Sequence, residues 1–485
     1  MCDKIYIVFF EKEVVVKNTE PLTKTHQQTI ERKKAKRKAK RQLIAADQPQ
    51  GKNIVLQIFQ TIVHFFPDLF DKMREIEDYR KKSDYQLVEL IMAGIAMFIF
   101  KEGSRNAFNN DRKEGKFKRN YEKVFKMKMP HMDTVDKVMR KLTENELEEL
   151  KRSMIRTLLE KKALHKFRFL GKWFLIAVDA TGVASFDEKH CENCLHRTSK
   201  SGKTTYFHNV LDAKLIFSNG FSISLGTGWI ENPEEYDKQD CELKAFKRLA
   251  DKLKKWYPRL PICIVADGLY PNQTFFNICK NKDWDFIVTF KEGNLPTVWE
   301  EVFSLKSIVK GNHCTDTRII AHKKIQQDYC WINKIDYHGH LLNWVECVEI
   351  VASIDSDAAI EPHHFVHITN LSLERTNVIK VSQGGRLRWK IENEGFNTQK
   401  NLGYNLKHKY SRKNYRATKN YYQCLQIGHL INQLVEQSHH FKELLKGKIT
   451  LKHLWKCVIG FLTYGDIDNE ELVIVAQHRC QIRFE

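Results

Sequence analysis

Residues 173–179 read WFLIAVD and residues 262–267 read ICIVAD, two short apolar runs that each close on an aspartate followed by small residues, DATG and DGLY. Runs of this length with β-branched members read as strands buried on both faces rather than as helices. Working outward, Phe207–Phe217 and Phe221–Leu225 are strand-like. Asp240–Trp256 carries Leu243, Phe246, Leu249, Ala250 and Leu253 at helical spacing, Pro271–Lys282 is helical, and Phe286–Phe290 (FIVTF) is a further strand. Three strands followed by helix, strand, helix and strand specify a mixed α/β domain with helices packed on the sheet, here residues 169–294.

The flanks differ in character. Residues 295–380 hold CWINKIDYHG, HLLNWVECVEIVAS and HHFVHITNLS, strand compositions separated by turn signals, which predict a β-rich insertion. After Gly384-Gly385 the pattern turns helical to about Leu462, making 381–485 a basic helical region. On the N-terminal side, residues 53–168 show apolar positions at three and four: Leu56, Phe59, Ile62 and Val63, then Leu87, Leu90 and Ile91, then Val135, Val138, Met139 and Leu142. This predicts a helical module, with Asp133-Thr134 as a cap before the third set and a basic loop (DRKEGKFKRNYEK) between the sets. That loop suits a small helical DNA-binding domain, and a plain bundle suits it equally. Residues 1–52 end in DQPQGK and read as a poorly structured basic arm.

The chain has 485 residues and a formal net charge of +20. Residues 31–41 (ERKKAKRKAKR) carry +7 and residues 380–419 carry +9, so 16 of the 20 net charges sit in 51 residues. Such concentration points to a polyanionic partner rather than diffuse surface basicity. The first run is equally a solvated arm, which can still bind phosphates without sequence preference. The second interleaves Tyr404, Tyr410, Tyr415, Tyr421 and Tyr422 with its cations, a mix suited to phosphate pairing plus base stacking, so nucleic acid is the preferred partner. The most apolar run, Leu87–Phe100, has 14 residues and contains Glu89, short of the ~20 that span a bilayer. The N-terminal apolar stretch of six residues is too short for a signal peptide. A soluble intracellular protein with reduced thiols is expected, its 12 cysteines being scattered.

Asp179 and Asp267 sit where ligands gather in open α/β sheets, at carboxyl ends of strands, and each has a glycine close by in Gly182 or Gly268. A strand-end aspartate capping its own turn would look the same. Holding two divalent cations calls for a third carboxylate, and Glu392 in RLRWKIENEGFNTQK is the candidate. It lies one helical turn after Arg388, so both project from one face; an ordinary surface ion pair has the same spacing. Trp389, Ile391 and Phe396 indicate that this helix packs on the domain, leaving Arg388 and Glu392 near the rim.

Strand–Asp179, strand–Asp267, a β-rich insertion and then R-W-x-I-E resembles the DDE transposases of bacterial insertion sequences, in the branch whose ribonuclease H-like domain is split before the final Glu. The most specific segments are KQDCELKAFKRL (238–249), ICIVADGLY (262–270), FIVTFKEG (286–293) and GRLRWKIENEGFN (385–397). That branch's signature is Tyr, Arg three later, Glu four later and Lys seven later. Arg388 and Glu392 match it, whereas Gly385 stands at the Tyr position and Gln399 at the Lys position, with Lys400 one further on. The resemblance implies phosphoryl transfer on double-stranded DNA at element ends and target. It implies Mg²⁺ or Mn²⁺ held by Asp179, Asp267 and Glu392, DNA contacts from Arg386, Arg388 and Lys400, and a homodimer on DNA in the bacterial cytoplasm, near the nucleoid. The two other readings are a DNA-binding protein of this descent without cleavage and a structure-selective nuclease on the same fold.

A second metal is suggested by KHCENCLHRTSKSGKTTYFHN, in which His190, Cys191, Cys194 and His208 could hold structural Zn²⁺, with His196 competing as a ligand. A reduced pair in a turn with incidental histidines fits equally. His363-His364-x-x-His367 reads as structural or surface.

Overall fold

The computed structural model describes residues 50–232, 239–353, 361–412, 414–446, 449–478 and 480. The 31–41 basic run and Lys413 lie outside them. The described chain is a mixed α/β structure: one open ten-stranded sheet flanked by helices at both ends of the sequence.

β1 (Phe174–Phe186) pairs antiparallel with β3 (Thr204–Ile216), and β3 carries both β2 (Leu195–Thr198) and β4 (Ser222–Ile230). On its other side β1 runs parallel to β5 (Ile262–Ala266), which runs parallel to β6 (Asp285–Thr289). The order across this half is thus β4-β3-β1-β5-β6. α8 (Glu242–Trp256) precedes β5 and α9 (Gln273–Asn281) precedes β6; α8 buries Phe246, Leu249, Ala250 and Leu253, much as its spacing predicts. Beyond β6 the sheet continues antiparallel through β10 (His363–Thr369), β9 (His340–Ser353), β8 (Lys323–Tyr337) and β7 (His313–Ile320). The β-rich segment therefore extends the same sheet. It also contains a helix, α10 (Pro296–Ile308), whose apolar residues follow no clear stripe: only Val298 and Val302 are buried.

The helical flanks share one core. α1 (Gln50–Phe65), α3 (Leu87–Ile99), α6 (Met132–Met139) and α7 (Glu144–Glu160) all pack on the 22-residue α13 (Tyr415–Glu436). Every residue of α3 is buried, and each such Leu, Ile, Met or Phe side chain contributes about 1.5–3 kcal/mol by leaving water. The two helices approach closely because Gly428 faces α3: a Cβ there would lie 2.8 Å from Phe98 Cβ. Asn432 then donates to the Ile99 carbonyl at 3.0 Å, satisfying the end of α3. No described helix is long and apolar enough to cross a membrane.

Several local expectations are corrected. Residues 50–52 belong to α1, not to the arm. The basic loop is helical, forming α4 (Arg105–Lys113) and α5 (Gly115–Phe125), because Phe108, Phe117, Tyr121, Val124 and Phe125 bury one face while the charges occupy the other. α6 is capped by His131, whose Nδ1 accepts from the Asp133 amide at 3.3 Å, and not by Asp133-Thr134. Gly384 and Gly385 lie inside α11 (Val378–Arg386) rather than before a helix.

Candidate functional site: a carboxylate cluster beside Arg388

β1 does not end at Asp179, as its apolar run suggested. It continues seven residues further, paired with β3 from Ile176↔Leu215 to Phe186↔Tyr206 through a bulge near Gly182. What ends near Asp179 is the neighbour: the last β1–β5 pair is Ala177↔Val265, and Asp179 and Asp267 each lie two residues beyond it. The two carboxylates thus leave adjacent parallel strands at the same level. Asp179 Oδ1 accepts from the Ala180 amide at 2.9 Å, and Asp267 Oδ1 accepts from the Leu269 amide at 2.9 Å.

After α11 the chain turns at Leu387-Arg388 and enters a π-helical stretch, Ile391–Asn397, that carries Glu392. Such irregular turns are frequent where a helix presents functional side chains. Arg388 is 8% exposed, so its ion pair with Glu392, at 2.8 Å, is no surface pair. Its Nη1 also lies 4.0 Å from Asp179. Ile391 and Phe396 are buried as expected; Trp389 is 46% exposed, lying under the Arg388 guanidinium at 4.5 Å.

A fourth carboxylate, Glu242, joins the three from the first turn of α8, where it accepts from the Tyr270 hydroxyl at 2.8 Å. Sequence reasoning passed over it, although an acidic residue opening an amphipathic helix just after the first strands was a usable signal. Burial, reinforced by the charges of Glu392 and Glu242, pushes the Asp179 carboxyl up to about 7, with Arg388 and the Ala180 amide pulling the other way. Burial likewise raises Glu242; Asp267 adds to the rise, while the Tyr270 bond and Arg388 oppose it. Asp179, Glu242 and Glu392 thus share one buried guanidinium, and Asp267 acts on the group through Glu242. The four carboxylates remain more spread than a single-ion site, since among the described residues only the His/Cys group below gathers three or more such ligand atoms around one point.

Of the other expected DNA contacts, Lys400 stands at the edge of the cluster. Burial and Lys407 lower its pKa, while the negative charges of Asp179 and Glu392 raise it. Arg386 is elsewhere, donating to both oxygens of Glu349 at 2.9 and 3.1 Å with its guanidinium 3.8 Å over the Phe365 ring. Tyr404, Tyr410, Tyr415, Tyr421 and Tyr422 are all buried and are not available to stack on bases: four of them fill the core, and Tyr415 packs against His208 and Trp229. The exposed cations of residues 380–419 are, among the described residues, Lys380, Lys407, Lys409, Arg412 and Arg416; Lys419 is buried between Glu144 and Glu231 at 2.8 and 2.7 Å.

The two departures from the branch signature are packed inward. A Cβ on Gly385 would meet the buried His367 ring at 2.4 Å. Gln399 is fully buried, donating to Gln426 at 2.9 Å and bonded to His429 Nδ1 at 2.9 Å. His363 and His364 are exposed while His367 is buried, so those three make no common site.

The second cluster does assemble. Cys191 Sγ and Cys194 Sγ are 3.9 Å apart, and each lies 3.5 Å from His208 Nε2. With His190, the four ligand atoms fall within 4.8 Å of one another. His196 is exposed and pairs through its backbone with Gln239, apart from the group. No protein-family model matches the chain, and no curated protein matches it. What either cluster can do follows from its own side chains.

Proposed function

We propose that the chain is a DNA phosphoryl transferase of the DDE transposase kind, cutting and joining strands with a divalent cation at Asp179, Asp267 and Glu392. The observation that carries this reading is the level placement of Asp179 and Asp267 on adjacent parallel strands, with Glu392 brought to Asp179 through the shared Arg388. Two further features support it. The order β4-β3-β1-β5-β6, three antiparallel strands then two parallel ones, is compatible with a ribonuclease H-like core. Strands β7–β10 fall between that core and the Glu392 helix, where the branch carries its insertion.

The donor set suits Mg²⁺ or Mn²⁺. Carboxylates are hard oxygen ligands, and their crowding, read in the displaced Asp179, is a charge imbalance that a divalent cation relieves. When bound, the cation activates the attacking water or 3′-hydroxyl and offsets charge on the phosphate. The chain's own residues do the rest. Lys400, Lys407, Lys409, Arg412 and Arg416 offer cations to the DNA backbone, Arg388 offers a planar fork beside the carboxylates, and exposed Trp389 offers a face on which a base can stack. No protein nucleophile is required, so neither Ser nor Tyr needs to enter the site.

One observation favours a second reading, a DNA-binding protein without cleavage: Gly385 and Gln399 are committed to packing rather than to the cleft. Strand-nicking and strand-transfer assays with Mg²⁺, on DNA taken from either side of the gene, distinguish the two. Asp179→Ala, Asp267→Ala and Glu392→Ala should each abolish both reactions while DNA binding survives. Binding without any divalent-dependent reaction by the wild-type chain would establish the second reading. A variant that cuts at near wild-type rate would remove its residue from the site.

A further inference from the structure

We propose that His190, Cys191, Cys194 and His208 form a tetrahedral zinc site that clamps the loop after β1 to β3 and to the backbone at Arg412. This goes beyond the DNA chemistry above and does not depend on it.

The first argument is shape. Bond lengths of about 2.3 Å to sulfur and 2.0–2.1 Å to nitrogen, at tetrahedral angles, place two sulfurs about 3.8 Å apart and each sulfur about 3.5–3.6 Å from a nitrogen. The protein has 3.9 Å between the sulfurs and 3.5 Å from each to His208 Nε2. A disulfide would need about 2.05 Å between the sulfurs. Two thiol protons can bridge only two of the three edges of this near-equilateral triangle, whereas one cation engages all three atoms.

The second argument is the fourth ligand. His190 Nε2 lies 2.6 Å from the Arg412 carbonyl oxygen, which can only accept, so Nε2 carries the ring proton. The lone pair is then on Nδ1, and that atom is buried with no hydrogen-bond partner among the described residues. A ligating histidine whose other nitrogen donates to a backbone carbonyl is the usual way of fixing ring orientation at a metal. Both rings are also held flat from outside. Phe186 stacks on His190 at 4.2 Å, and Tyr415 stacks on His208 at 3.9 Å.

Two thiolates with two imidazoles in a tetrahedron favour Zn²⁺ over the hard cations expected at the carboxylate cluster. The ion would join two pieces directly, the 187–194 loop and strand β3, and through the His190–Arg412 hydrogen bond would steady a third, the segment bearing Lys407, Lys409 and Arg412 just before α13. Its removal should loosen the first and third together.

The test uses the full chain, produced with zinc in the medium and purified without chelator or metal-affinity resin. Elemental analysis should find one zinc per chain. Cobalt exchanged into the site should give the visible bands of a tetrahedral centre and the ultraviolet charge transfer of two thiolates. Cys191→Ser and Cys194→Ser should each lose most of the metal, and zinc removal should speed proteolysis within 187–203 and 405–412 at least several-fold. If the serine variants do not fold, the wild-type zinc count and cobalt spectrum decide alone. Less than about half an equivalent of zinc in folded wild-type protein, from a site expected to bind tightly, overturns the proposal. So does iron in place of zinc, or zinc retained by the double serine variant.

Discussion

Replacing Asp179 by asparagine is expected to stabilise the metal-free protein at pH 8 and to leave it almost unchanged near pH 4. The folded carboxyl sits at about 7, against about 3.9 for an aspartate in an unfolded chain. A carboxyl raised in this way binds its proton more tightly folded than unfolded. Below pH ~4 both states are protonated and nothing is lost; as pH climbs from there to about 7, the unfolded chain ionises first and stability falls; above 7 the loss is complete. About three pH units at ~1.36 kcal/mol each make that loss on the order of 4 kcal/mol. Asp179 has 22% of its side chain exposed, too little for solvent to screen most of this. The attraction of Arg388 is already contained in that displaced value, so a gain on the order of 4 kcal/mol is expected at pH 8. Urea unfolding of chelator-treated wild type and Asp179→Asn from pH 4.5 to 8.5 measures it, because other groups cancel in the difference. Parallel curves across that range would refute the crowded-carboxylate picture. A wild type that gains on the variant as pH rises would show that Arg388 outweighs burial and repulsion.

Two further outcomes are expected. Deleting residues 31–41 should flatten the dependence of log K on log[salt] by about 0.9 for each Lys or Arg withdrawn from a phosphate; an unchanged slope in a filter-binding titration would mean the run does not touch DNA. Arg388→Ala should lower stability by about 1–3 kcal/mol, between the values for exposed and buried ion pairs, and slow cleavage by about 10²-fold or more. Arg388→Lys should restore stability better than rate, since Lys lacks the planar fork; unfolding curves and cleavage rates from the same preparations check both.

The strands were legible because both faces are covered: ICIVA became β5 residue for residue, and FIVTF lies largely within β6. The end of β1 was not, because Asp179 interrupts an apolar run without interrupting the β3 ladder; hydrogen bonding to a neighbour is invisible in composition. The tyrosines misled for a related reason. Interleaving with cations reads as a surface pattern, but in α13 a tyrosine one position from a cation points the other way, so Arg416 is exposed while Tyr415 and Tyr421 are buried. Arg388 and Glu392 were found by spacing. Their burial depended on a sheet brought to them from 200 residues away, and so did the role of Glu242, whose partners Tyr270 and Asp267 share no local pattern with it.

The displaced lysine of the signature has a geometric account in the π-helical stretch. In a regular α-helix seven residues after Glu392 nearly complete two turns, so residue 399 would share the face of Glu392. Ile391–Asn397 is wound as a π-helix, which closes its bonds at i→i+5 rather than i→i+4 and so takes more residues to complete a turn. Returning to the Glu392 face therefore takes one residue more, which is Lys400. The surroundings agree: Gln399 faces inward to Gln426 and His429, while Lys400 is half-buried and feels the charges of Asp179 and Glu392. The winding thus places Lys400, and not Gln399, toward the carboxylates. Gly385 has no such compensation. The ring of His367 occupies the room a side chain there would take. Trp389, exposed and stacked against Arg388, is the aromatic side chain at that edge of the cluster.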